Sequence, residues 1–267
     1  MPRAAPTIRI EEGDARDLPG VAPGSVELVV TSPPYPMIPQ WDESFRHWGA
    51  RTYPEMHERL AEVWTACHRA LVPGGLLAVN IGDALRTGDD GFRLWPNHVD
   101  VERACEAAGF RPLPYILWKK PTNKPNAFLG SGFLPPNAYV TLDCEFILLF
   151  RRGALRAFPR ADPRRSDSRY TKAERDRWFS QIWDDVRGVR QGPVGRRTGA
   201  FPPEIPRRLI RMFSVAGDCV LDPFAGTGTT LWAAHELGRD SVGVEVDPEL
   251  TGALRVGAAE RTGSLRT

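Results

Sequence analysis

Residues 219–245 read CVLDPFAGTGTTLWAAHELGRDSVGVE, and the order of their parts decides the fold. A short apolar run, 219–221, ends in Asp222. A tight turn follows, holding Gly226 and Gly228. A helix then reads through to about Leu237, with Gly238 as its stop. Residues 241–244 form a second apolar run that ends in Glu245. Strand, glycine turn, helix and strand make a βαβ unit, which implies a parallel sheet.

The same stretch narrows the ligand. Glycines let backbone approach a bound group, and an acid ending the second strand can accept hydrogen bonds from both hydroxyls of a ribose. No lysine follows the glycines, which removes a Walker-type phosphate loop, and the third glycine of GxGxxG is missing. A ribose-bearing cofactor without a pyrophosphate fits best, and S-adenosyl-L-methionine is the obvious candidate. The competing reading is a glycine-rich turn that binds nothing.

Far upstream, the run 26–30 reads as a buried strand that leads into Thr31-Ser32-Pro33-Pro34-Tyr35. Two prolines stop the strand, fix two φ angles and remove two N–H donors. What remains is rigid backbone with spare carbonyls, a small hydroxyl before it and an aromatic ring after it. Such an end suits a planar group with N–H donors; taken alone, it is also an ordinary Pro-Pro turn.

The rest of the chain alternates similarly. Strands are expected at 7–10, 76–81, 115–118 and 145–150, and helices at 53–71, 97–108, 203–214 and from Asp247-Pro248 onward. Asp14 follows the first strand, where a carboxylate can meet a ligand. On the helix 53–71, Met56, Leu60, Val63, Trp64, Cys67 and Leu71 share one face, so Trp64 and Cys67 read as core. Residues 36–51 lack periodicity and read as a long loop beside the site, carrying Trp41, Arg46 and Arg51. A second loop-like segment follows Trp118 and offers Lys119, Lys120, Asn123 and Lys124 to phosphates.

Composition bounds the partners. The chain has 267 residues, of which 42% are hydrophobic and 25% charged, as in an ordinary globular protein. No apolar run reaches membrane-spanning length and the start has no signal-peptide core, so a cytosolic protein without membrane association is expected. The four cysteines form no CxxC pair and read as reduced thiols. The net charge is only +2, yet 151–197 holds thirteen Arg and one Lys against six acids, which leaves the remainder negative. That asymmetry points to a polyanion, with Arg164, Arg165 and Arg169 among the candidate contacts. A solvated loop in an arginine-rich chain is the alternative.

Taken together, Thr31–Tyr35 and Asp222–Thr230 resemble the amino-group DNA methyltransferases. The catalytic motif precedes the cofactor motif, as in the circularly permuted β class. Gly13-Asp14, Leu71–Gly75, Leu117–Lys119, Glu145–Leu149 and Ala200–Pro202 extend the likeness. The resemblance implies an α/β Rossmann-like sheet of seven strands, mostly parallel with one antiparallel, flanked by helices. It divides the chain into a catalytic part (1–150), a target-recognition insertion (151–197) and a cofactor-binding part (198–267).

The same resemblance implies S-adenosyl-L-methionine as cofactor and a flipped base held by Ser32, Pro33, Pro34 and Tyr35. Glu245 would bind the ribose and Asp14 the adenine amino group. Thr31, Phe201, Pro202, Asp222, Phe224, Ala225, Gly226, Gly228 and Thr229 would line the cofactor site. In this family Ser at the first motif position goes mostly with N4-cytosine and Asp mostly with N6-adenine. Ser32 therefore implies N4-methylcytosine, with an adenine enzyme or a non-catalytic DNA-binding module as the alternatives. Double-stranded DNA at the nucleoid is the implied substrate; a cognate restriction endonuclease and a homodimer are the further partners the family admits. No metal is expected.

Overall fold

The computed structural model describes residues 5–88, 91–120, 129–130, 135, 138–189 and 199–263. Its strands are β1 (Ile8–Glu12), β2 (Val26–Thr31), β3 (Leu71–Ile81), β4 (Ala84–Gly88), β5 (Gly91–Trp95), β6 (Phe110–Lys119), β7 (Leu129–Gly130), β8 (Ala138–Tyr139), β9 (Cys144–Arg152), β10 (Ile182–Trp183), β11 (Cys219–Asp222) and β12 (Asp240–Glu245). The α-helices are α1 (Asp42–His47), α2 (Tyr53–Ala70), α3 (Asn97–Ala107), α4 (Pro163–Asp167), α5 (Lys172–Trp178), α6 (Glu204–Phe213), α7 (Thr229–Glu236) and α8 (Pro248–Thr262).

One sheet of eight strands runs in the order β1-β12-β11-β2-β3-β9-β6-β10. Only β9 runs against the others. The eighth strand is the two-residue β10, which extends the expected seven by pairing Ile182 and Trp183 with Leu117 and Trp118. Successive strands step outward in opposite directions from the β11–β2 pair. That pair is the topological switch point, whose crevice is where open α/β sheets bind ligands.

Side chains alternate between the two faces with period two. Val29, Leu77, Val79 and Leu221 join a core with α2 and α3. Leu28, Val30, Leu76, Ala78 and Val220 join a second core with α6 and α7. The result is a three-layer α/β/α fold. Trp64 and Cys67 are fully buried in the first core, as the helical pattern requires. Helix α2 begins where its sequence says: Thr52 and Glu55 form a reciprocal capping box.

Local features differ from the sequence reading in at least three places. Residues 36–51 are not loop throughout, because a 3₁₀ turn at Pro39–Trp41 runs into α1. Six residues are too few for a periodic pattern, but Asp42 and Glu43 begin the helix and Arg46 and His47 end it, complementing its dipole. Residues 84–95 form a hairpin, β4–β5, that periodicity misses and the Gly88–Gly91 turn signal could have found. Strand β3 begins at Leu71, not Leu76: residues 72–75 bulge between the Val26–Leu71 and Leu28–Leu76 pairs, with Gly74 at φ +82°.

Candidate active site

Seven parallel strands end at one edge of the sheet, so their last residues converge. Strand β2 delivers Thr31 and then Ser32–Tyr35, and β11 delivers Asp222 beside it. The Thr31 hydroxyl donates to Asp222 Oδ1 at 2.8 Å, both side chains buried. The two motifs singled out in the sequence therefore touch across the switch point, 191 residues apart.

Around Asp222 lies the smaller of two adjoining cavities. Ser32, Ala200, Phe201, Phe224, Ala225, Gly226 and Thr229 help to line it. Gly226 has φ +53° and Gly228 φ +80°, conformations that favour glycine. Gly228 is buried against Trp232 and Leu254 and so shapes the turn from behind. Asp222 is fully buried, and burial pushes its carboxyl up to about 7 against hydrogen bonds from Thr31, Thr230 and the Phe224 N–H, with the charge of Glu245 adding to the rise. Among the described residues no lysine or arginine lines this cavity, and its one carboxylate is Asp222. A cationic sulfonium suits such a lining, whereas a pyrophosphate does not.

Glu245 ends β12 at the rim, accepting from the Gly226 N–H at 2.8 Å through one oxygen and from the Asp247 N–H at 3.0 Å through the other. Each oxygen keeps a lone pair for a hydroxyl donor. The neighbouring strand β1 brings Asp14 close, since the Gly13 N–H donates to the Glu245 carbonyl at 2.9 Å. Asp14 is occupied by Arg16, whose backbone N–H, Nε and Nη2 donate at 2.8, 3.0 and 2.7 Å. Partial burial raises the Asp14 carboxyl, but the Arg16 contacts and a Trp48 hydrogen bond outweigh it and hold it below its ordinary value. The Trp48 ring also lies 5.9 Å from Phe224, making an aromatic wall beside Asp14. These residues fit S-adenosyl-L-methionine: aromatic rings and Asp14 for adenine, Glu245 for ribose, glycine backbone and Asp222 toward the methionine end.

The second cavity, about 440 Å³, adjoins the first and shares Ser32, Gly199, Ala200 and Phe201 with it. Pro202 and Trp41 line its near side, and Trp41 packs against Gly199. Pro33 and Pro34 are buried behind Ser32. Its floor is a polar cluster. The Tyr35 hydroxyl lies 3.1 Å from Ser32 Oγ and donates to Glu145 Oε2 at 3.0 Å. Asn80 Nδ2 donates to both Tyr35 and Glu145, at 2.8 and 2.6 Å. Lys120 pairs with the other Glu145 oxygen, and burial pushes its amine down to about 8. Asn80 and Glu145 had no role in the sequence reading. A polar residue within the apolar run 76–81 and a carboxylate opening the apolar run 145–150 were the available signals.

The basic candidates divide. Lys120 faces the second cavity as an ion pair with Glu145, not as a free phosphate contact, while Lys119 is exposed on the same strand end. Arg46 and Arg51 are exposed near α1, Arg46 with Asp42 3.9 Å away. Arg164 and Arg165 are not brought to the cavity. Arg156, on the chain leading to them, pairs with Asp218 just before β11, and both Arg156 and Arg165 lie beside the Phe158 ring. Arg164 caps back onto Asp162, and the Arg169 carbonyl accepts from Arg211. These three arginines therefore lie toward the turn that precedes β11, at the amino end of that strand, which Ser168 also reaches by accepting from the Ala216 N–H. Among the described residues of the segment, Gly188 and Val189 are the ones that line the second cavity. Lys124 and Asn123 lie outside the described residues.

Comparison with known proteins agrees with this geometry. The profile of a family described as DNA methylase matches residues 26–253. The chain is 55% identical to the type II methyltransferase M.MjaI of Methanocaldococcus jannaschii over 262 residues, spanning 89% of this chain and 86% of that protein. It is 44% identical to the type II methyltransferase M.MthZI of Methanothermobacter thermautotrophicus, spanning 90% and 73%. Among solved structures, a putative DNA modification methylase of Thermus thermophilus in complex with S-adenosyl-L-methionine superposes with a TM-score of 0.77 at 35% identity, covering 96% of this chain and 94% of that one. The chain belongs to the DNA methylase family, the S-adenosyl-L-methionine-dependent methyltransferases that act on N4 and N6 amino groups of DNA bases.

Proposed function

We propose that this protein is a site-specific type II DNA methyltransferase that methylates the exocyclic N4 amino group of cytosine in duplex DNA. One observation carries the reading: Ser32 lies where the two cavities meet, so a base in one faces a methyl donor in the other. S-adenosyl-L-methionine supplies an electrophilic methyl group when bound. The protein must supply a nucleophile, and an exocyclic amine is a poor one because its lone pair is delocalised into the ring. Ser32 Oγ and the Pro33 carbonyl accept its two N–H bonds and draw the nitrogen toward a tetrahedral shape. Catalysis then comes from positioning and electrostatics, with no covalent enzyme intermediate, and the surplus amine proton leaves to water after transfer. Tyr35 supplies a ring for the base to stack on, and the base leaves the duplex to reach it. Ser32, where adenine enzymes of the family mostly carry Asp, supports cytosine as the target.

The basic segment 151–197 contributes target recognition, with Gly188 and Val189 after β10 bordering the base cavity. A cognate restriction endonuclease and a second copy of the chain are the partners this reading adds to DNA. Modification-sensitive single-molecule sequencing of DNA from a host expressing the protein tests it. N4-methylcytosine within one recurring sequence is the expected signal, and N6-methyladenine alone overturns the base assignment.

A further inference from the structure

The cluster beneath the base cavity obeys a proton count. A phenol has one proton and two lone pairs. Three polar atoms surround the Tyr35 oxygen: Asn80 Nδ2 at 2.8 Å, Glu145 Oε2 at 3.0 Å and Ser32 Oγ at 3.1 Å. Asn80 Nδ2 can only donate, and it takes one lone pair. Turning this amide over would set its oxygen 2.6 Å from a carboxylate oxygen, which repulsion forbids. Glu145, paired with Lys120, is an acceptor only, so it takes the phenol proton. One lone pair is left for Ser32, and the serine hydroxyl has to donate into it. The Ser32 proton is thereby turned toward Tyr35, and the Ser32 lone pairs are left for an incoming amino group.

We propose that Glu145 is a positioning residue for methyl transfer. As the terminal acceptor of the Ser32–Tyr35 hydroxyl chain, it holds Ser32 as a hydrogen-bond acceptor toward the target amine, with Lys120 as its counter-ion. The proposal rests on the reading of Ser32 as the residue that receives the target N–H. Glu145 belongs to β9, lines the base cavity and acts on Ser32 through Tyr35. Replacing its carboxylate by a carboxamide offers Tyr35 a donor as well as an acceptor. The phenol proton is then free to point at Ser32, whose own proton turns toward the amine.

A double-mutant cycle tests this, because residues acting through one chain are non-additive. Glu145→Gln is expected to lower kcat on the order of 10- to 100-fold while leaving KM for DNA and the S-adenosyl-L-methionine affinity within about 2-fold. In a Tyr35→Phe background, where the chain is already cut but the ring remains, the same substitution is expected to change kcat by less than about 3-fold. Equal losses in the two backgrounds overturn the proposal, as does unchanged kcat in Glu145→Gln. Tyr35→Phe alone adds no polar group to the interior and keeps the proposal testable if the glutamine variant does not fold: wild-type kcat in Tyr35→Phe overturns it. Product analysis of the wild type separates this idea from the one beneath it. An adenine product removes the base assignment and leaves the cycle readable, since an adenine amine presents the same N–H donors. No amino-methylated product at all removes both.

Discussion

The buried carboxyl of Asp222 makes cofactor affinity depend on pH in a calculable way. Burial raises it to about 7 in the cofactor-free protein despite its hydrogen bonds from Thr31 and the Phe224 N–H. Among the described residues, the cavity it lines offers no other carboxylate and no cationic side chain. A sulfonium bound there favours the ionised form, so binding is coupled to release of the Asp222 proton. For a group titrating near 7, about nine-tenths of the free protein is protonated at pH 6 and about one quarter at pH 7.5. The apparent Kd for S-adenosyl-L-methionine is therefore expected to fall about eightfold from pH 6 to pH 7.5, an effect of about 1.2 kcal/mol. Isothermal titration calorimetry measures it, with proton release read from buffers of different ionisation enthalpy. Two controls isolate the cause. S-adenosylhomocysteine lacks the sulfonium charge and should show a smaller slope. Asp222→Asn cannot ionise and should remove the difference between the two ligands. Equal slopes for both ligands in the wild type, or a slope that survives in Asp222→Asn, would mean that the Asp222 proton is not what couples binding to pH.

Further outcomes follow from the same geometry. The raised Asp222 value means that the folded protein keeps a proton which the unfolded chain gives up, so this residue favours folding below about pH 4 and that contribution is lost as pH rises through about 7. Asp222→Asn should accordingly raise Tm at pH 8, with the gain shrinking toward pH 4, as followed by circular dichroism. Gly228→Ala should lower stability by at least about 1–2 kcal/mol in urea titrations, because the position has φ +80° and the added Cβ would sit 2.5 Å from the Trp232 ring. Arg164→Ala with Arg165→Ala should leave DNA affinity by fluorescence anisotropy within about 2-fold, since both residues lie toward the amino end of β11, and the basic patch alone carries no sequence reading.

How much of this was legible in the chain depended on which end of a strand a residue occupies. Thr31–Tyr35, Asp222, Glu245 and Asp14 all follow apolar runs that are parallel strands, so the rule that ligands bind beyond carboxyl ends located them. Glu145 escaped that rule because β9 is the antiparallel strand, and its beginning, not its end, arrives at the catalytic edge. Asn80 escaped because a single amide at the end of β3 has no motif around it; only the Glu145 and Tyr35 contacts give it a role. Arg164, Arg165 and Arg169 lie away from the cavities for a different reason. Charge counts a segment's partners but not its path, and here its first part meets the amino end of β11, where Arg156 pairs with Asp218. The short helices α1, α4 and α5 carry too few turns for periodicity to register, although Thr171 and Glu174 in α5 form a capping box.

The most direct measurement of the central claim uses the purified protein, duplex DNA and S-adenosyl-L-methionine labelled in its methyl group. The DNA is digested to nucleosides and the label located by mass spectrometry, for the wild type and for Ser32→Ala. Label is expected in N4-methylcytosine alone, with near-disappearance in Ser32→Ala and cofactor affinity retained. Label in N6-methyladenine or 5-methylcytosine, or a Ser32→Ala variant that turns over like the wild type, would contradict it.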